Sequence, residues 1–366
     1  MFHLTCSTCG IDYPAESLVW RCACGGLLDL AFQPKFEPPM TGKRAPDLWR
    51  YREALPVLDE ASIISFGEGF TPLLPLQFGR KTAWIKQDHL FQTGSYKDRG
   101  AALLISHARA LGVQKVVEDS SGNAGCAVAA YCARAGIACD IYVPDSTSPA
   151  KLEQIAAYGA GLKRIPGSRE DTASAVIAAA ENTFYASHTW NPLFFHGTKT
   201  WAYEVCEQLG WKAPDSVVLP AGNGTLLLGA AIGFNELTTA GIIPHPPVII
   251  AVQAAACQPL TLAFQSGSNQ PEKIQKRETR AEGIAIAEPA RGAQILAAVR
   301  ASGGQFISVS EEEIGAAHRL MAAQGLFIEP TSAAVTAGLI RYLASASADE
   351  LVVSTFTGHG LKAAGH

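Results

Sequence analysis

The chain has 366 residues, 48% apolar and 17% charged, with a formal net charge of −4. That length exceeds what one hydrophobic core serves and predicts two lobes with an appendage, while the apolar and charged fractions are those of a globular protein. The charge excludes the basic footprint of a nucleic-acid binder, and the start "MFHLTCSTCG" lacks the basic region and apolar run of a signal peptide, so a cytoplasmic protein is expected.

Four clustered cysteines come first, Cys6-x2-Cys9 and Cys22-x-Cys24, each pair followed by glycine (Gly10, then Gly25 and Gly26). Paired thiolates on two tight knuckles suit one tetrahedral structural zinc, and the glycines let the backbone fold back so that amides point at sulfur. The second pair has one intervening residue where two to four are usual, so reduced structural thiols stay open as the alternative. Without an export signal no disulfide framework is expected. The other five, Cys126, Cys132, Cys139, Cys206 and Cys257, lie in apolar patterns and read as small core residues.

Beyond this segment, short β-branched runs alternate with helical ones. Thr82 to Lys86, Lys115 to Asp119, Cys139 to Val143, Ser216 to Pro220, Pro247 to Val252 and Leu351 to Phe356 read as buried strands. Between them, Ser168 with Asp171 and Ser310 with Glu313 form capping-box patterns at helix starts. Strand and helix in alternation predict an α/β fold with parallel sheets. The most apolar long window, Val217 to Phe234, is broken by Pro220, Asn223 and glycines, against a membrane span. Gln265 to Arg280 is polar and reads as a surface loop.

Three places carry chemistry. In "QTGSYKDRGAA", Gln92 to Ala102, Lys97 stands where a glycine-bearing loop enters an apolar helix, and a lysine at a helix start opposes the helix dipole. After two of the strands come "SSGNAG", Ser120 to Gly125, and "AGNGT", Ala221 to Thr225, glycine loops at helix N-termini suited to anions and phosphate above all. Neither matches the dinucleotide fingerprint or the P-loop. A lysine amine, a phosphate cradle and a second anion site together suit pyridoxal 5'-phosphate (PLP), which needs a Schiff-base lysine and a phosphate anchor.

The chain resembles the threonine synthase family of fold type II (tryptophan synthase β-like) PLP enzymes. The resemblance rests on "GSYKDRG", "DSSGNAG", "KLEQIAAYGA", "GTKT", "PAGNGTLLLG", "RAEGIAI", "FIEPTSAA" and "TGHGLK", in family order over nearly the whole chain, and on the "CxxCG…CxCGG" segment. It implies that Lys97 is the Schiff-base lysine and that Asn123 bonds the cofactor's phenolic oxygen. Ser120, Ser121 and the loop amides, with Ala124 beside them, would take the substrate carboxylate; Gly222, Asn223, Gly224 and Thr225 would cradle the phosphate. Thr357 would meet the pyridine nitrogen, where a hydroxyl does not force protonation. The implied architecture is a zinc-ribbon-like extension (1–32), a large PLP-binding domain (33–104 and 190–366) and a smaller α/β domain (105–189). A homodimer acting on a small amino acid is also implied.

Two departures bear on the reaction. Many members have an arginine before "EGxKT"; here "SHTWNPLFFHGTKT" places Leu193, Phe194 and Phe195 at and around that position, and His196 replaces the glutamate. Ala124 stands where many carry threonine. A dianion needs charge-assisted partners, which a phenyl ring does not supply. Three readings follow: a threonine synthase whose substrate phosphate is held by other cations such as Lys151, Lys199 or Arg99; a related β-eliminating or β-replacing enzyme for serine, threonine or a similar amino acid; and a zinc-ribbon protein with an inactive lobe. Glu329, before Pro330, reads as a structural carboxylate at a helix start. His89 has no evident partner, and His359 sits in a glycine turn.

Overall fold

The computed structural model describes residues 2–147, 149–167 and 169–363. In chain order the strands are β1 (His3–Cys6), β2 (Asp12–Pro14), β3 (Leu28–Ala31), β4 (Leu73–Phe78), β5 (Lys81–Lys86), β6 (Lys115–Glu118), β7 (Ala138–Pro144), β8 (Gly161–Ile165), β9 (Phe184–Tyr185), β10 (Ser216–Pro220), β11 (Val248–Ala254), β12 (Gln305–Val309) and β13 (Val352–Thr355). The fold is α/β, as expected. All six runs read as strands are strands. Outside the ribbon the unforeseen strands are β4, β8, β9 and β12, all at sheet edges: Pro75 interrupts β4, polar residues interrupt β8 and β12, and β9 is only two residues long.

The chain divides into two compact units, Met1–Gly69 with Lys97–Thr198, and Phe70–Tyr96 with Lys199–His366. In the first, a parallel sheet of order β8-β7-β6-β9 accompanies the antiparallel ribbon β2-β1-β3. The ribbon is docked within its unit, with the Trp20 ring edge-on to Tyr185 and Trp190 at 5.3 and 5.2 Å. In the second unit, a six-stranded sheet of order β12-β11-β10-β13-β5-β4 is parallel except for β4. Strands β10 and β13 are buried throughout, as central strands covered on both faces must be. The core beside them joins Ile85, Val218, Ile250, Val252, Val335 and Leu339.

This division differs from the expected one: residues 33–69 and the helices Lys97–Ala110 and Pro192–Thr198 group with β6 to β9. The Lys97–Ala110 helix packs on both Asn123–Ala135 and Pro192–Thr198, and Ile64 N–H donates to its Ser106 Oγ at 2.8 Å. Two glycines allow the crossing: a Cβ on Gly100 would lie 2.2 Å from the Phe194 ring, and one on Gly197 2.2 Å from the Arg99 carbonyl oxygen. Hydrophobic periodicity marks the buried face of a helix without naming the sheet that it covers.

The Ser310–Glu313 capping box forms as predicted; Ser168 and the Lys151 side chain lie outside the described residues. All nine cysteines are free, and Cys126, Cys132, Cys139, Cys206 and Cys257 are buried. No described helix is long and apolar enough to cross a membrane.

Candidate active site

The "AGNGT" loop leaves β10 and opens the Thr225–Thr239 helix. Gly224 holds φ +77°, which favours glycine, and no side chain caps the helix. A Cβ on Gly222 would lie 2.9 Å from Ile284 Cα and 3.0 Å from the Gly283 carbonyl oxygen, so the loop packs directly on the "RAEGIAI" segment. An uncapped fifteen-residue helix with no acidic residue in its first turn presents N–H groups and a positive dipole end to an anion.

The two residues before Lys97 are fixed in the same unit. Ser95 pairs with Gly358 in an antiparallel bridge. Tyr96 N–H donates to the Thr357 carbonyl oxygen at 3.0 Å, and Tyr96 OH and Thr225 Oγ1 share a hydrogen bond of 2.6 Å. The chain thus reaches Lys97 from a dipeptide bonded to both Thr357 and the first residue of the Thr225 helix. Ser95 Oγ is fully buried and, among the described residues, has no hydrogen-bond partner. A buried hydroxyl calls for one. The glycine loop and the uncapped start of the Thr225–Thr239 helix fit a group rich in acceptor oxygens such as PLP phosphate.

In the other unit Lys97 begins its helix with Asp98 beside it, an acidic residue that offsets the unfavourable dipole. Its Nζ lies 5.5 Å from the centroid of the fully buried Phe194 ring. The ring of His188 packs on Phe194 at 6.0 Å, and His188 Nδ1 lies 2.7 Å from Glu118 Oε1 at the end of β6. The loop after β6 opens the Asn123–Ala135 helix, again without a side-chain cap. A Cβ on Gly125 would lie 1.8 Å from the Ser120 carbonyl oxygen, so glycine is obligatory there. Ser120, Ser121 and Asn123 are half-buried, whereas Ala124 is buried.

Residues 64–358 match the family described as pyridoxal-phosphate dependent enzyme. The threonine synthase of Methanocaldococcus jannaschii is 36% identical over 372 residues, covering 98% of this chain and 92% of that protein. The chain belongs to the threonine synthase family of PLP-dependent enzymes. Among solved structures, serine racemase from Dictyostelium discoideum has a TM-score of 0.67 and 25% identity, covering 80% of this chain and 92% of that one. The threonine deaminase of T.th. gives the same score and identity over 79% and 92%. As a member of the threonine synthase family the protein is a PLP-dependent enzyme of fold type II, which sets aside the inactive-lobe reading.

Several residues of this threonine synthase family member escaped the sequence reading. Ser95 and His188 lie in the segments "GSYKDRG" and "SHTWNPLFFHGTKT", where nothing local signals their burial. Glu329, read as structural, has its carboxylate on Thr357, with Thr357 Oγ1 donating to Glu329 Oε1 at 2.8 Å. His89 does have neighbours: its ring lies 5.6 Å from both Phe356 and His359, and burial pulls its pKa down to about 4, keeping it neutral. Lys199 is committed elsewhere, 2.9 Å from Glu236 and fully buried.

The ribbon gathers Cys6, Cys9, Cys22 and Cys24 with all four sulfurs within 4.8 Å of one another. Cys6 and Cys24 are 3.6 Å apart and Cys9 and Cys22 3.5 Å, close to the ~3.8 Å edge of a tetrahedron with Zn–S bonds of about 2.3 Å. Amides of Thr8 and Cys9 point at Cys6 Sγ at 3.4 and 3.5 Å. Gly10 and Gly25 take φ of +74° and +83°, and a Cβ on Gly26 would lie 2.8 Å from Cys6 Sγ. The donor set fits zinc.

Proposed function

We propose that this chain converts O-phosphohomoserine and water to threonine and phosphate, with PLP bound through Lys97. The observation that carries this reading is the 36% identity to a threonine synthase over 98% of the chain, joined to a lysine preceded by residues bonded to Thr357 and Thr225. When bound, the cofactor supplies an electron sink for charge developing at the substrate's α carbon. Lys97 would hold it covalently, and its amine would carry protons at the substrate's α and β carbons. Asn123 would bond the phenolic oxygen, and Gly222, Asn223, Gly224 and Thr225 would hold the phosphate on backbone N–H groups. Thr357 would face the ring nitrogen. Ser120, Ser121 and the amides around Ala124 bind the substrate carboxylate. Phosphate leaves Cγ, a proton is delivered there, and water adds at Cβ.

The Phe194 ring supports a second reading. An apolar wall 5.5 Å from Lys97 offers nothing to a substrate phosphate, which favours β-elimination on serine or threonine. Steady-state assays decide: we expect threonine and phosphate from O-phosphohomoserine, with keto-acid formation from serine and threonine at least roughly tenfold slower, a difference of about 1.4 kcal/mol in barrier. Faster keto-acid release would establish the second reading instead.

The ribbon is proposed as a structural zinc site, and a cytoplasmic homodimer is proposed on family grounds. Purified protein should carry about one zinc per chain. Replacing Cys6 and Cys9 by serine should remove the metal while turnover survives in the protein that stays folded. Metal-free wild-type protein with an ordered ribbon would mean that the thiols only pack.

A further inference from the structure

The carboxylate of Glu329 has no part in the chemistry so far. It is 8% exposed and stands at the N-cap of the Pro330–Ser345 helix, where the dipole favours the anion. Besides receiving Thr357 Oγ1 on its side chain, Glu329 donates its own N–H to the Gly358 carbonyl oxygen at 2.9 Å. A Cβ on Gly358 would fall 2.2 Å from the carboxylate, so glycine after Thr357 is what lets the two side chains meet. Ser332 Oγ lies 2.9 Å from Thr357 Oγ1 and accepts the N–H groups of Thr357 and Gly358 at 2.8 and 3.2 Å.

A hydroxyl has one proton and two acceptor lone pairs. Thr357 directs its proton at Glu329, so its oxygen offers only lone pairs to a further partner. A ring nitrogen placed against it must bring the hydrogen itself, and the nearby anion favours the cationic form of that ring. We propose that Glu329, acting through Thr357, holds the ring nitrogen of the bound cofactor protonated, making Glu329 a positioning residue for the electron sink. This rests on the placement of Thr357 at that nitrogen in the proposed function. It reverses the expectation that a threonine there leaves the nitrogen free to be neutral, because that expectation treated the hydroxyl without its carboxylate. A protonated ring withdraws electron density from the α carbon more strongly than a neutral one.

The test is the nitrogen-15 resonance of ring-labelled PLP in the holoenzyme near pH 7. The wild-type signal is expected in the pyridinium range. Glu329→Ala, which returns the Thr357 proton to the ring, is expected to move it to the neutral-pyridine range. A wild-type signal in the neutral range overturns the proposal without reference to any variant. Thr357→Val separates the two layers. If the signal moves in Thr357→Val but not in Glu329→Ala, Thr357 is correctly placed and the relay is overturned; if Thr357→Val leaves it unmoved, the placement fails and the relay with it.

Discussion

Lys97→Ala protein should bind PLP only reversibly and lose at least about 10²–10⁴-fold in turnover, the range for removing a positioned acid–base group. The loss should not come from misfolding. Lys97 opens its helix, where a positive charge is disfavoured by about 0.3–1 kcal/mol. Its contact with the Phe194 ring offsets this by a similar amount, about 0.5–2 kcal/mol. Cofactor-free Lys97→Ala should therefore unfold within roughly 1 kcal/mol of wild type, a typical bound for a substitution with no large structural mechanism. The hydrogen bonds that precede position 97, Tyr96 to Thr357 and to Thr225, are retained. Borohydride reduction followed by peptide mapping should place the label on Lys97 in wild type and nowhere in the variant. A label on another lysine, or near-normal turnover by Lys97→Ala, would remove Lys97 from the site.

Glu204→Ala should destabilise the protein by about 3–5 kcal/mol, the cost of breaking a buried ion pair from one side. Glu204 Oε2 lies 2.7 Å from Lys86 Nζ, with both side chains 0% exposed. Lys86 also donates to the Thr71 carbonyl oxygen at 2.6 Å and to Gln208 Oε1 at 2.7 Å. Without the carboxylate, the ammonium is left in the core beside these neutral acceptors. A loss of that size is a large share of the roughly 5–15 kcal/mol that holds a typical protein folded. Removing both charges should recover most of it. In Lys86→Met/Glu204→Met the Thr71 carbonyl still accepts from Gln208 Nε2, at 2.9 Å, and two thioether side chains replace the pair at similar volume. Urea midpoints of the three proteins are the measurement. A Glu204→Ala midpoint equal to wild type, or a double variant weaker than the single one, would show that the pair is not what holds this site.

What could be read from the sequence is what depends on neighbours along the chain. Glycines whose φ or close approach excludes a side chain mark the cysteine knuckles and the two helix-opening loops, and β-branched runs mark the central strands, because both requirements act within a few residues. Lys97 stood out for the same reason: its conflict with the helix dipole is local. Edge strands β4, β8, β9 and β12 escaped because Pro75 interrupts the first, polar residues break the apolar run in β8 and β12, and β9 is two residues long. The allotment of the Lys97 helix to the first unit was decided by its packing on Asn123–Ala135 and Pro192–Thr198. Phe194 was conspicuous as a residue, but its seat against Lys97 depends on the space left by Gly100. The meaning of Thr357 changed most. Alone it is a neutral hydroxyl; with Glu329 and Ser332 around it, the direction of its single proton is set. Composition, periodicity and backbone demands are local and survive in one dimension, whereas the partner of a buried polar group is chosen by the tertiary fold, since only there do residues distant in the chain leave water together.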